Sequence, residues 1–335
     1  MKAVVLTEVG GPEKIRIDSI ALPEPGPGEV RVKLKASALN RRDYWITVGL
    51  YPNMKLPCIS GSDGAGVVDA VGKGGGKDLA GREVVIYPAR NWGDDPRCFG
   101  PDFKILGMPD QGTFAEYVCV PAQDVYDKPA HLDWEEAAAI PLAGLTAWRA
   151  VVTQAEVRSG QKALVTGAGS GVSSFAILWA IHHGAEVWVT SGSAQKIEKA
   201  KSLGAKGGGN YNEADCYAKL AKQTGGFDFV IDSAGGDAFN DILDSLKPAG
   251  RFVFFGATKG VPSKAPDLRR LFFRHIRIQG TTMGTPAEFR AMLEFVTRKK
   301  IRPVIDRVLP MERAVEAYKL MERFSQTGKI VLRNE

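Results

Sequence analysis

Residues 165–174 read VTGAGSGVSS, with glycines at alternate positions, Gly167, Gly169 and Gly171, running into Ser170, Ser173 and Ser174. Glycine at this spacing lets the backbone turn through positive φ and brings N–H groups close to an anion with no Cβ in the way. The turn lies between an apolar strand, KALVTGA, and an apolar helix, SSFAILWAIHH. That is the setting in which a glycine-rich loop cradles a dinucleotide pyrophosphate. Ser170 and Ser173 stand where the full G-x-G-x-x-G spacing is interrupted. Ser170, Gly171 and Val172 open the helix, and Gly171 is read as the backbone facing the phosphates. Ser173 is small enough to let helix and strand pack at a slightly wider separation. The loop is therefore expected to hold a dinucleotide.

The end of the next strand decides which one. A site for NAD usually presents Asp or Glu there to bind the ribose hydroxyls. Here the segment is VTSGSAQK, without an acid, and it offers Ser191, Ser193 and Lys196. Tyr211, in GGGNYNE after the next strand, can reach the same phosphate. The expected cofactor is NADP(H).

The elements that must position these residues fall into two kinds. The first third is short β-rich runs, such as EVRVKLKASAL and GAGVVDAV, separated by Gly/Pro clusters, as in a small barrel. After Pro129 comes a helical stretch, LDWEEAAAIPLAGLTAWRAVV, and then apolar strands alternate with amphipathic helices, the pattern of a parallel sheet covered on both faces. Near the C-terminus VLPMERAVEAYKLMERF reads as a helix and GKIVL as a closing strand.

Composition narrows the classes. The chain has 335 residues, 44% hydrophobic and 24% charged, as in a globular protein of two domains. No apolar stretch approaches bilayer length and no secretory signal is read, so the expectation is a cytoplasmic protein without a membrane partner. The net charge of +6 raises the question of nucleic acid, but the basic residues are dispersed among apolar ones, and an anionic cofactor accounts for them. The four cysteines form no C-x-x-C pair. The pair His182–His183 closes an apolar helix, where it complements the helix dipole and is not read as a metal site.

The segments ALNRRDYWITVGLYP, PCISGSDGAGVVDAVG, GTFAEYV, EEAAAIPLAGLTAW, LVTGAGSGVSS and GKIVL together resemble the medium-chain dehydrogenase/reductase superfamily, in particular its zinc-independent quinone oxidoreductase (zeta-crystallin-like) branch. The resemblance implies an α/β protein: a GroES-like β-barrel catalytic domain, residues 1–127 and 281–335, with an inserted Rossmann cofactor domain, residues 128–280. It implies an active site in the cleft between the two and a homodimer paired along the last Rossmann strand, here RHIRIQG. The catalytic-zinc positions of its metal-dependent members fall at Asn40, Ser62 and, approximately, Leu142, none a usual ligand. Without a metal, the chemistry this resemblance implies is hydride transfer to a quinone or an α,β-unsaturated carbonyl compound.

By the same resemblance Asn40 lies near the nicotinamide and Tyr51 points into the substrate cleft, where it donates to the substrate oxygen either directly or through a water. Trp45 stands where the branch has a second tyrosine, and Asn91 and Trp92 line the substrate side with it. Asp43 is read as an anchor of the local backbone. Thr146, Ser233, Phe255, Gly256, Thr258 and Thr282 complete the cofactor contacts, Gly256 because a bulky side chain there would block the dinucleotide. Two other readings stay open: a zinc-type alcohol dehydrogenase, and a non-enzymatic NADPH-binding protein with a structural or RNA-binding role.

Overall fold

A computed structural model of the chain describes residues 1–334. The chain divides into two compact units, Met1–Leu145 with Gly284–Glu335, and Thr146–Met283. The first unit is the β-rich one. Its principal sheet runs in the order Val125–Asp127, Glu83–Ile86, Asp63–Val71, Glu29–Ala38, Lys329–Arg333 and Ile305–Pro310, with Tyr117–Pro121 also paired to Glu29–Ala38. The alternation in Glu29–Ala38 follows from its residues: Val30, Val32 and Leu34 point into the core while Arg31, Lys33 and Lys35 alternate with them. Lys329–Arg333 pairs antiparallel with that strand, so the chain's last segment closes on its first third.

The division falls at Leu145, later than the boundary expected at residue 128. The reason is the helix Trp134–Ala139. Capped by Asp133 and Glu136 in a reciprocal box, it packs its buried Ala137, Ala138 and Ala139 on Glu29–Ala38, Asp63–Val71 and Lys329–Arg333. The single helix read over this region is broken before Pro141, which lacks the N–H needed to continue the ladder; a second helix spans Pro141–Trp148. VLPMERAVEAYKLMERF also differs from its reading. Its first residues belong to the strand Ile305–Pro310, and the helix is Ala314–Glu322.

The second unit is a six-stranded, all-parallel sheet in the order Gly207–Asn210, Glu186–Ser191, Lys162–Val165, Phe227–Asp232, Leu246–Phe254, Arg277–Gly280. In chain order this is 3-2-1-4-5-6, the doubly wound arrangement that leaves a ligand crevice where the order reverses, here between Lys162–Val165 and Phe227–Asp232. The strand read before Tyr211 runs over Gly207–Asn210, and one element escaped the sequence reading, the helix Cys216–Thr224. The three successive glycines of that strand are required by its neighbours. A Cβ on Gly207 would stand 2.5 Å from the Trp188 ring, and one on Gly209 2.6 Å from Cys216 Sγ. His183, at the end of Gly171–His182, has Nδ1 2.7 Å from the Trp179 carbonyl, as the helix-terminus reading expects. No described helix is long and apolar enough to cross a membrane.

Candidate functional site

In the α/β unit, the glycine turn and the loop after Phe227–Asp232 are tied together at the switch point. Thr166 Oγ1 donates to Asp232 Oδ1 at 2.5 Å, and Ser233 N donates back to Thr166 Oγ1 at 3.3 Å. Asp232 Oδ2 accepts from Gly235 N at 2.8 Å and Ala234 N at 3.2 Å. Burial pushes this carboxyl above its ordinary range, while those hydrogen bonds pull the other way. Thr166 and Asp232 were not singled out from the sequence; an acid ending an apolar strand, FVID, was the available signal.

The serines that interrupt the glycine spacing have work in the turn. Ser170 is the N-cap of Gly171–His182, its Oγ accepting from Ser173 N at 3.0 Å, and Ser173 Oγ donates to the Thr166 carbonyl at 2.9 Å. Gly167 takes φ +65°, which few other residues tolerate, and Val172 is half-buried beside Gly171. Lys196 lies across the turn: a Cβ on Gly169 would sit 2.5 Å from its Cδ and 2.9 Å from its Nζ. At the other side of the same strand end, Ser191 Oγ accepts from Ser193 N at 3.2 Å, and the Tyr211 hydroxyl stands 2.9 Å from where a Gly192 Cβ would be. Lys259, unremarked in the sequence, holds its ammonium 4.4 Å from the Tyr211 ring centroid. Ser191, Ser193, Lys196 and Tyr211 are thus gathered about one strand end.

Phe255 N donates to the Asp232 carbonyl at 3.1 Å, and Thr258 Oγ1 to the Ser233 carbonyl at 3.3 Å. A Cβ on Gly256 would come within 3.0 Å of the Ser233 carbonyl oxygen. Thr146 is buried with Oγ1 3.8 Å from Met283 Sδ, and Thr282 is exposed. A cradle that side-chain atoms would close at Gly167, Gly169 and Gly256 fits a dinucleotide.

The β unit contributes a second cluster. The helix Arg41–Thr47 starts at Asn40, whose backbone N–H donates to Asp43 Oδ2 at 2.7 Å, so Asp43 anchors the local backbone as read. Burial raises the Asp43 carboxyl to about 6. Asn40 Nδ2 donates to Asp63 Oδ2 at 2.9 Å while Asn40 Oδ1 accepts from Lys329 Nζ at 2.7 Å. Lys329 Nζ also meets Asp63 Oδ2 at 2.7 Å, with side chains only 2% and 0% exposed, and Asp63 Oδ1 accepts from Leu142 N at 2.7 Å. Asn40 is therefore held at both ends of its amide by a buried ion pair. The sequence signal was a lone lysine inside an apolar strand, GKIVL.

Beside it Arg42, also buried, donates from Nη1 to Ser62 Oγ at 2.7 Å and from Nε to the Tyr51 hydroxyl at 3.1 Å. Trp45 is half-buried with its ring 5.3 Å from that of Tyr44. Asn91 is exposed in a left-handed conformation, φ +55°. Trp92 departs from the substrate-lining expectation. Its indole is buried edge-on against Phe99 and Phe103, and Nε1 donates to the Asp95 carbonyl at 3.0 Å, which makes it the core of its own loop.

Known proteins share this fold. The alcohol dehydrogenase GroES-like domain family matches residues 26–130, and the zinc-binding dehydrogenase family residues 171–298. The chain is 36% identical over 333 residues to the zinc-type alcohol dehydrogenase-like protein YogA of Leptosphaeria maculans, covering 94% of this chain and 92% of that one. It belongs to the medium-chain dehydrogenase/reductase superfamily. The quinone oxidoreductase of Pseudomonas aeruginosa is 30% identical, with 99% of each chain covered. The crystal structure of an NAD-dependent alcohol dehydrogenase superposes with a TM-score of 0.93 at 41% identity, covering 99% of each chain. As a superfamily member the chain is an oxidoreductase of a nicotinamide-dependent family.

The zinc of the superfamily's metal-dependent members does not fit here. Asn40 is engaged by Lys329 and Asp63, Leu142 presents an aliphatic side chain, and Ser62 Oγ already accepts from a guanidinium that would repel a dication. Among the described residues no group of three or more His, Cys, Asp or Glu is placed to hold a metal.

Proposed function

We propose that this protein is an NADPH-dependent reductase that transfers hydride, without a metal, to a quinone or an α,β-unsaturated carbonyl compound. The observation that carries the reading is the set of side chains at the three metal positions: none is a ligand, and a phenol, Tyr51, stands bonded to the same arginine as Ser62. The 30% identical quinone oxidoreductase supports the substrate class.

The cofactor, held by the glycine turn and the residues around Ser191 and Lys196, would supply the hydride that the electrophilic carbon of the substrate takes up. The displaced electron pair moves to the carbonyl oxygen, where the Tyr51 O–H donates its hydrogen bond and then its proton. Water returns a proton to the phenol, so one hydride and one proton are added overall. Asn40, fixed by Lys329 and Asp63, presents a rigid amide edge.

The preference for NADPH is assigned to Lys196, with Ser191, Ser193 and Tyr211 adding neutral donors around the 2′-phosphate. A hydrogen bond to a charged group contributes roughly 1.5–3 kcal/mol, so Lys196→Ala should weaken NADPH about ten- to a hundredfold and leave NADH nearly unchanged. The ratio of kcat/KM for the two cofactors, measured in wild type and variant, decides this. A wild type that prefers NADH, or a ratio that survives the substitution, contradicts the assignment.

Two copies are proposed to pair along Arg277–Gly280. This strand is one of the two edges of its sheet, and Leu268, Phe272 and Phe273, in the helix that precedes it, are 70%, 59% and 75% exposed. Light scattering at micromolar concentration should give about twice the 36.2 kDa chain mass; the single-chain mass would rule the pairing out.

A further inference from the structure

Arg42 is a buried cation, 8% exposed, that among the described residues makes no ion pair. Its hydrogen bonds go to neutral oxygens: Ser62 Oγ at 2.7 Å, the carbonyls of Leu106 at 2.9 Å and Met108 at 3.4 Å, and the Tyr51 hydroxyl at 3.1 Å. Its guanidinium carbon also stands 4.5 Å from the centroid of the Tyr51 ring. The buried counter-charge is the Asp43 carboxyl, raised by its burial and pulled back down by Arg42, yet none of the hydrogen bonds of Arg42 goes to it. A guanidinium spent on neutral oxygens is costly to bury, and two backbone carbonyls could be satisfied by a neutral donor.

We propose that Arg42 is the positioning residue of the oxyanion site and takes the electrostatic part a metal plays in zinc-dependent relatives. Its position on Ser62, one of the three metal positions, puts a fixed positive charge in that neighbourhood. The bond from Nε occupies a lone pair of the Tyr51 oxygen and thereby turns the phenolic proton outward, toward a substrate oxygen. When Tyr51 gives up that proton, the negative charge arrives on an atom already bonded to a cation. The inference rests on Tyr51 being the donor, as proposed above.

A role in merely tying the Leu106 and Met108 carbonyls would be independent of Tyr51, and a double-mutant cycle separates the two. Arg42→Met should lower kcat about 10–100-fold while the KM for NADPH, and NADPH affinity by fluorescence titration, stay within about twofold. In the Tyr51→Phe background the same substitution should cost less than about threefold, because the group it acts through is gone. Where Arg42→Met does not fold, Arg42→Gln, which keeps an N–H for the carbonyls, carries the same cycle with the same expectation. A full loss repeated in the Tyr51→Phe background, or a kcat that Arg42→Met leaves within about twofold, overturns the proposal for Arg42 alone. A Tyr51→Phe enzyme as fast as wild type overturns both it and the Tyr51 mechanism.

Discussion

Lys329→Met should destabilise the β unit by about 3–5 kcal/mol, because it leaves the Asp63 carboxylate buried without its cation. The unit has roughly 200 residues, so its Tm should fall by about 6–20 °C. Lys329 Nζ makes two 2.7 Å contacts, to Asp63 Oδ2 and Asn40 Oδ1, and neither the lysine nor the aspartate has appreciable access to water. The companion variant Asp63→Asn/Lys329→Met should recover most of the loss, since an amide can still accept from Leu142 N and no charge is stranded. Calorimetry on the two variants checks this. A Lys329→Met protein within about 1 kcal/mol of wild type, or a double variant no better than the single one, would show that the pair is not the clamp it is described as.

Tyr51→Phe should slow reduction of a good enone or quinone about a hundredfold, the effect of losing one direct donor worth roughly 3 kcal/mol to a developing oxyanion. NADPH affinity should be nearly unchanged, since Tyr51 belongs to the β unit and the cofactor residues to the other. Steady-state kinetics with both substrates, alongside an NADPH titration, gives the result. A loss of only a few fold would point to a water between phenol and substrate, and an unchanged rate removes Tyr51 from the mechanism.

The α/β unit was largely legible because its elements are short-range statements: an apolar strand, a glycine turn and a capped helix follow each other within about twenty residues. Ser170 and Ser173 read there as tolerated substitutes for glycine, and their side chains turn out to cap the helix and tie it to Thr166. The reason for the glycines of Gly207–Asn210 was not legible, because they are selected by the neighbours Trp188 and Cys216, which only the fold brings near. The same applies to the β-unit cluster. Asp63 and Lys329 are 266 positions apart, and Ser62 is 20 from Arg42, so no local spacing announces them. Asn40 and Tyr51 came from a family likeness; the residues that hold them, Lys329, Asp63 and Arg42, came from the geometry. Trp92 shows the opposite failure, an aromatic in a suggestive place that is used to fill its own loop.

Hydride transfer without a metal is tested by turnover and metal content measured together. NADPH oxidation by the purified protein is followed with a panel of quinones, enones and aldehydes, before and after chelator treatment, with metal content determined on the same sample. Turnover of a quinone or enone is expected at an unchanged rate in chelator-treated protein carrying no stoichiometric zinc. Activity that disappears with the chelator and returns with added zinc would contradict it.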